Sequence, residues 1–122
     1  MKSNESAENY LETILVLSNS KSYVRSIDIA EELGFKKPSV SVAMKLLREK
    51  GHIKVDTDGH ITLTESGKAI ADMIYERHQL LSHWLIDLGV DPDIATEDAC
   101  RIEHVISKES FEAIKTHVQT EV

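Results

Sequence analysis

The stretch SIDIAEELGFKKPSVSVAMKLLREKGHIKVDTDGHITLT, residues 26–64, decides the fold of this 122-residue chain. Ser26 is suited to cap a helix over residues 27–33, and Gly34 supplies the left-handed residue that ends it. After Lys36-Lys37, Pro38 fits the first turn of a second helix that runs through Ser39, Val40, Val42, Ala43, Leu46 and Leu47 until Gly51. Two short helices about a Gly-containing turn form a helix-turn-helix. Residues 52–56 and 60–64 then alternate with period two around Thr57-Asp58-Gly59, which reads as a hairpin. A hairpin directly behind a helix-turn-helix is a wing.

Working outward, residues 6–18 carry Tyr10, Leu11, Ile14, Leu15 and Leu17 at helical spacing, followed by a polar break over 18–22 (SNSKS). Downstream, Thr64 or Ser66 opens a long helix with Ile70, Met73, Ile74, Leu81, Trp84, Leu85 and Leu88 on one face, closing near Gly89. Asp91-Pro92 is an N-cap followed by an N1 proline, so a helix is expected over about 93–106. Ser107 begins another, carrying Phe111, Ile114 and Val118. The expected fold is mainly α: a winged helix-turn-helix with a two-stranded wing over 1–66, and a helical domain over 67–122. Hydrophobic residues make up 41% and aromatics only 5%, so the core is mainly aliphatic. No run reaches the ~18 apolar residues that span a bilayer, and the N-terminal residues lack a signal-peptide apolar region. A single cysteine cannot form an internal disulfide and fits a reducing compartment, so a cytoplasmic protein without membrane contact is expected.

The net charge of −7 is unevenly spread. Residues 1–68 hold 10 Lys+Arg and 10 Asp+Glu, whereas residues 69–122 hold 4 and 11. Within 36–54 six cations (Lys36, Lys37, Lys45, Arg48, Lys50, Lys54) face only Glu49. That patch suits a phosphate backbone, which the acidic half would repel. In helix-turn-helix docking the second helix enters the major groove by its N-terminal end, here Pro38-Ser39-Val40-Ser41-Val42. Ser39 and Ser41 offer hydroxyls to phosphates or base edges, Val42 offers methyls to thymine, and Lys36, Lys37 and Lys45 are placed for phosphates. No Arg, Gln or Asn sits on the leading turn, so shape and half-site spacing must carry much of the specificity.

Cys100-Arg101-Ile102-Glu103-His104 places a thiol, a carboxylate and an imidazole three and four residues apart, on one helical face. Such a set suits a divalent transition ion better than calcium or magnesium. His78 falls on the apolar side of the long helix, where a histidine is either a ligand or a satisfied core residue. Asn9 and Glu12, three apart on the first helix, offer two more donors. Two other readings stand beside a metal switch: a metal-independent winged-helix regulator with Cys100 as redox sensor, and a small metallohydrolase with Glu103 as general base. Against the hydrolase, no H-E-x-x-H motif is present and six protein donors leave little open coordination. His83 and His117 read as surface residues, and His52 and His60 as exposed or DNA-facing residues of the wing.

The residues that carry a family likeness are Ala7-Glu8-Asn9-Tyr10-Leu11-Glu12, Asp28-Ile29-Ala30-Glu31, Leu63-Thr64-Glu65-Ser66-Gly67, Glu76-Arg77-His78 and Asp98 to His104. With these the chain resembles the diphtheria-toxin-repressor family of metal-dependent repressors, in the short form represented by manganese transport regulators. The resemblance covers essentially the whole chain. It implies a DNA-binding domain over 1–66, a metal-binding and dimerisation domain over 67–122 without the SH3-like domain of longer members, and a homodimer on palindromic operator DNA. It also implies Asn9, Glu12, His78, Cys100, Glu103 and His104 as metal ligands. Asn9 departs from the aspartate of manganese-type members and the methionine of iron-type members. Cys100 follows the iron-type branch and Glu12 the manganese-type. Ser82 and Thr96 replace the carboxylate and histidine of an accessory site. The hybrid shell favours Fe(II), with Mn(II) close behind and Zn(II) acceptable, and no organic substrate is expected.

Overall fold

A computed structural model describes residues 5–120. Six helices and one hairpin follow in order: α1 (Glu5–Ser20), α2 (Ser26–Leu33), α3 (Lys37–Glu49), β1 (Ile53–Val55), β2 (Ile61–Leu63), α4 (Glu65–Asp87), α5 (Pro92–Ile102) and α6 (Lys108–Thr120). The chain divides into two compact units, the N-terminal one ending at Asp72 and the C-terminal one beginning at Met73. The division falls inside α4, which is continuous across it.

In the N-terminal unit the core is aliphatic as composition requires: Leu11, Ile14, Ile29, Val40, Leu47, Ile53 and Ile61 are buried together. The two strands pair antiparallel in the register Ile53↔Leu63, Lys54↔Thr62, Val55↔Ile61. They are shorter than the alternation suggests, because Asp56 and His60 leave the ladder to build the turn. Asp56 Oδ1 accepts the backbone N–H groups of Asp58 and His60, both at 2.9 Å. The wing is also tied to the segment before α2, where Ile61 N–H donates to Val24 O at 2.7 Å.

Two expected helix ends move. The N-cap of α2 is Arg25 rather than Ser26, because the Asp28 carboxylate accepts the Arg25 N–H at 2.8 Å and draws Ser26 into the first turn. The helix expected over 93–106 ends at Ile102. Gly34 (φ 70°) and Gly89 (φ 105°) take left-handed conformations beyond the ends of α2 and α4. At the start of α4, Thr64 is the cap, its Oγ1 accepting the Gly67 N–H at 3.2 Å. A Cβ added to Gly67 would collide with the His52 carbonyl.

The C-terminal unit packs Leu81 of α4, Ala99 of α5 and Phe111 of α6 into one cluster, with Leu80, Trp84, Ile102, Ile106 and Ile114 against it. Asp91 caps α5 by accepting from Asp93 N and Ile94 N. Ser107 caps α6, its Oγ accepting from Ser110 N at 3.0 Å. Met73 and Leu88, expected on the apolar face of α4, are 37% and 65% exposed. Leu88 falls past the last helical turn, and Met73 lies on the flank of the stripe set by Ile74 and Leu81.

Two outcomes follow from these contacts. Gly67→Ala must push the His52 carbonyl aside, and is expected to cost about 1–3 kcal/mol in chemical denaturation. The Asp56 carboxyl is held below its ordinary 3.8, chiefly by the His60 N–H, with the Asp58 N–H adding to it. A depressed carboxylate stabilises above the unfolded value and loses that contribution as pH falls through the folded one. Amide protection at Asp58 and His60 should therefore hold at neutral pH and fall on acidification below 3.8, while Asp56→Ala should show the loosened turn at neutral pH.

Candidate metal centre and nucleic-acid interface

The C-terminal unit gathers donors from α4 and the end of α5. His78 is half-buried on α4, with Nδ1 2.8 Å from Glu103 Oε1. Glu103 follows the last residue of α5 in a right-handed conformation (φ −57°, ψ −26°), its N–H bonded to Ala99 O at 2.9 Å. Helical spacing thus persists one step beyond the helix. Ligand atoms of Cys100, Glu103 and His104 lie within 4.8 Å of one another.

Burial is graded across the strip. The Glu103 side chain has 0% exposure and that of His104 3%, while Cys100 is exposed. Glu103 Oε2 lies 3.4 Å from His104 Nε2 yet makes no hydrogen bond. A buried acceptor left unsatisfied costs about 1–3 kcal/mol, more when charged. A cation at that oxygen would meet the demand, and thiolate, carboxylate and imidazole together fit a divalent transition ion.

Asn9 and Glu12 lie half-buried on α1, in the N-terminal unit. The backbone carbonyl of Asn9 accepts from Thr13 Oγ1 at 2.8 Å and, in an α-helix, from the Thr13 N–H as well. The side-chain amide is therefore the donor that Asn9 has to offer a metal. His83 and His117 are exposed. The two wing histidines are half-buried rather than exposed, and each has a structural partner. His52 Nδ1 meets Ser66 Oγ at 2.9 Å. His60 Nε2 meets Arg25 Nη2 at 2.9 Å, its Nδ1 faces Asp56 Oδ2 at 3.2 Å, and Tyr23 stacks on its ring at 4.1 Å. Asp56, Asp58 and His60 are also close enough to hold an ion. The Asp56 carboxylate is engaged in the wing turn and the His60 ring with Arg25 and Asp56.

The basic surface lies on α3. Val40, Met44 and Leu47 turn into the core, which leaves Lys36, Lys37, Pro38, Ser39, Ser41, Val42 and Lys45 exposed. Val42 keeps 60% of its surface in solvent, an apolar group on a polar face, as a thymine-methyl contact requires. A cleft of about 170 Å³ is lined by Ser26, Ser41, Met44, Lys45, Arg48 and Val55. Ser26 was not read as DNA-facing, and Arg48 entered only as one cation of the basic patch over 36–54. The signal for Arg48 was present, since residues 41, 45 and 48 share one face of a helix.

Residues 2–61 match the profile described as iron dependent repressor, N-terminal DNA binding domain, and residues 64–120 that described as iron dependent repressor, metal binding and dimerisation domain. The chain belongs to the iron-dependent repressor family. It is a metal-dependent transcriptional regulator of that family. The transcriptional regulator MntR of Escherichia coli O6:H1 is 34% identical over 94% of this chain and 74% of its own length. An HTH-type transcriptional regulator of Methanocaldococcus jannaschii is 32% identical over 94% of both chains. Among solved structures, a manganese-dependent transcriptional repressor in complex with manganese superposes with a TM-score of 0.85 at 29% identity, over 93% of this chain and 52% of that one. IdeR of T. acidophilum gives 0.80 at 26%, over 92% and 53%. The regulator therefore spans about half the length of those two solved chains.

Arg48→Ala should weaken DNA binding about equally across sequences. If Arg48 neutralises one phosphate, the slope of log affinity against log salt should fall by about 0.9. Fluorescence anisotropy at several salt concentrations measures both.

Proposed function

We propose that this regulator represses transcription as a homodimer on palindromic double-stranded operator DNA, activated by a divalent transition metal held by Asn9, Glu12, His78, Cys100, Glu103 and His104. Residues 1–66 read DNA, and residues 67–122 hold metal and dimerise. The observation that carries the reading is Glu103, fully buried with Oε1 on His78 and Oε2 facing His104 without a hydrogen bond. A buried carboxylate flanked by two imidazoles and a nearby thiol is a poor packing solution and a good cation site.

The ion preference rests on donor softness. Cys100 and the two imidazoles favour Fe(II), Glu12 and Glu103 keep Mn(II) a close second, and Zn(II) fits the same donors. Metal and operator binding share one coupling free energy, of about 1–3 kcal/mol in such linkages. No helix among the described residues is long and apolar enough to cross a membrane, and the regulator acts in the cytoplasm. Neither catalysis nor an organic substrate is part of this reading.

Titrating operator binding with Mn(II) or Fe(II) under anaerobic conditions tests this reading. Under the metal reading, Mn(II) or Fe(II) raises operator affinity about 5–150-fold. Glu103→Ala and His104→Ala abolish that stimulation and leave weak non-specific binding. Metal-dependent operator binding that survives in both variants would overturn the assignment.

A further inference from the structure

Arg77 immediately precedes His78 on α4, about 100° around the helix from it. It is 8% exposed, and nothing in the ligand set accounts for a buried guanidinium there. Its Nη1 donates to the carbonyl of Glu103 at 3.1 Å and to that of Ile106 at 3.0 Å. The guanidinium carbon lies 5.5 Å from the centroid of the Phe111 ring. Nε is buried without a hydrogen-bond partner.

These contacts act where α5 stops. The last carbonyls of a helix have no intrahelical partner and take water or side chains instead. Here Arg77 supplies the partner, and the carbonyl it grips belongs to the peptide plane that joins Glu103 to His104. The orientation of that plane sets the direction in which both side chains leave the backbone. The second bond, to Ile106, closes the turn on its far side, so residues 103–106 are held at both ends by one nitrogen.

We propose that Arg77 is the positioning residue of the metal centre: by gripping the Glu103 and Ile106 carbonyls it pre-organises the Glu103–His104 donor pair. This rests on the metal reading above. Arg77 touches no ligand atom and binds no ion. Its charge opposes a cation nearby, which separates two explanations by sign. If geometry dominates, removing the guanidinium weakens metal binding; if charge dominates, removing it strengthens binding.

The test uses the full-length protein, metal-free and anaerobic, titrated with Co(II) against a competing chelator. Absorption reports thiolate-to-cobalt charge transfer from Cys100. Arg77→Met is expected to weaken Co(II) binding about 10–100-fold, as loss of a supporting contact does at metal sites, and to dim the thiolate band. Arg77→Lys, which keeps the charge but ends one atom short of Nη1, should fall between wild type and Arg77→Met. Co(II) binding in Arg77→Met equal to or tighter than wild type overturns the proposal. Should Arg77→Met fail to fold, wild-type affinity in Arg77→Lys overturns it equally, and a loss supports it. No Co(II) binding by the wild type overturns the metal reading and this inference with it.

Discussion

Removing the Glu103 carboxylate from water costs several kcal/mol unless charges and hydrogen bonds replace its hydration, and in the C-terminal unit the replacement is incomplete. His78 takes one oxygen and His104 faces the other without bonding it. The surrounding architecture follows from keeping that group in place. Successive residues of α4 divide the task, His78 meeting the carboxylate and Arg77 the backbone that carries it. Leu81, Ala99 and Phe111 hold the three helices together beside it. Lys115 of α6 meets Glu76 of α4 at 2.6 Å, a bond that raises the lysine above its ordinary range.

The N-terminal unit solves a different problem, presenting charge rather than hiding it. Its cations stay in solvent on α3, held there by a core face of Val40, Met44 and Leu47 that fixes the helix from beneath. The wing shares that core through Ile53 and Ile61, and polar contacts fasten it further. Arg25 reaches it twice, through His60 Nε2 and the Asp58 carbonyl. An arginine only donates, so His60 must accept at Nε2 and carry its proton on Nδ1, toward Asp56. The acidic excess lies in the other half of the chain.

Much of this was legible in the sequence because its signals are local. Gly34, Pro38 and Gly59 mark the helix-turn-helix and the wing by backbone constraint alone, and helical spacing groups Cys100, Glu103 and His104. What escaped was tertiary. No local rule ends α5 at Ile102 with Arg77 gripping the next carbonyls, because Arg77 lies 26 residues from Glu103 in sequence. Ser26 is a good cap by type, but the Asp28 side chain two residues on decides the boundary. Met73 and Leu88 fit a helical stripe whose width the pattern alone cannot limit. The wing histidines looked exposed because their partners, Arg25 and Ser66, come from outside the hairpin strands.

The gradient of exposure along the proposed donor strip bears on rates as well as equilibria. Glu103 and His104 are sheltered, while Cys100 opens to solvent. A fully enclosed ion leaves only when the protein opens, which makes release slow. With a solvent-facing ligand, an incoming thiol or chelator can attack from one side and draw the ion out stepwise. If the strip holds an ion as proposed, the sheltered pair would govern which ion stays, and the open thiol how quickly it exchanges with ions outside. A regulator that must follow a falling metal supply as closely as a rising one depends on the second property as much as the first.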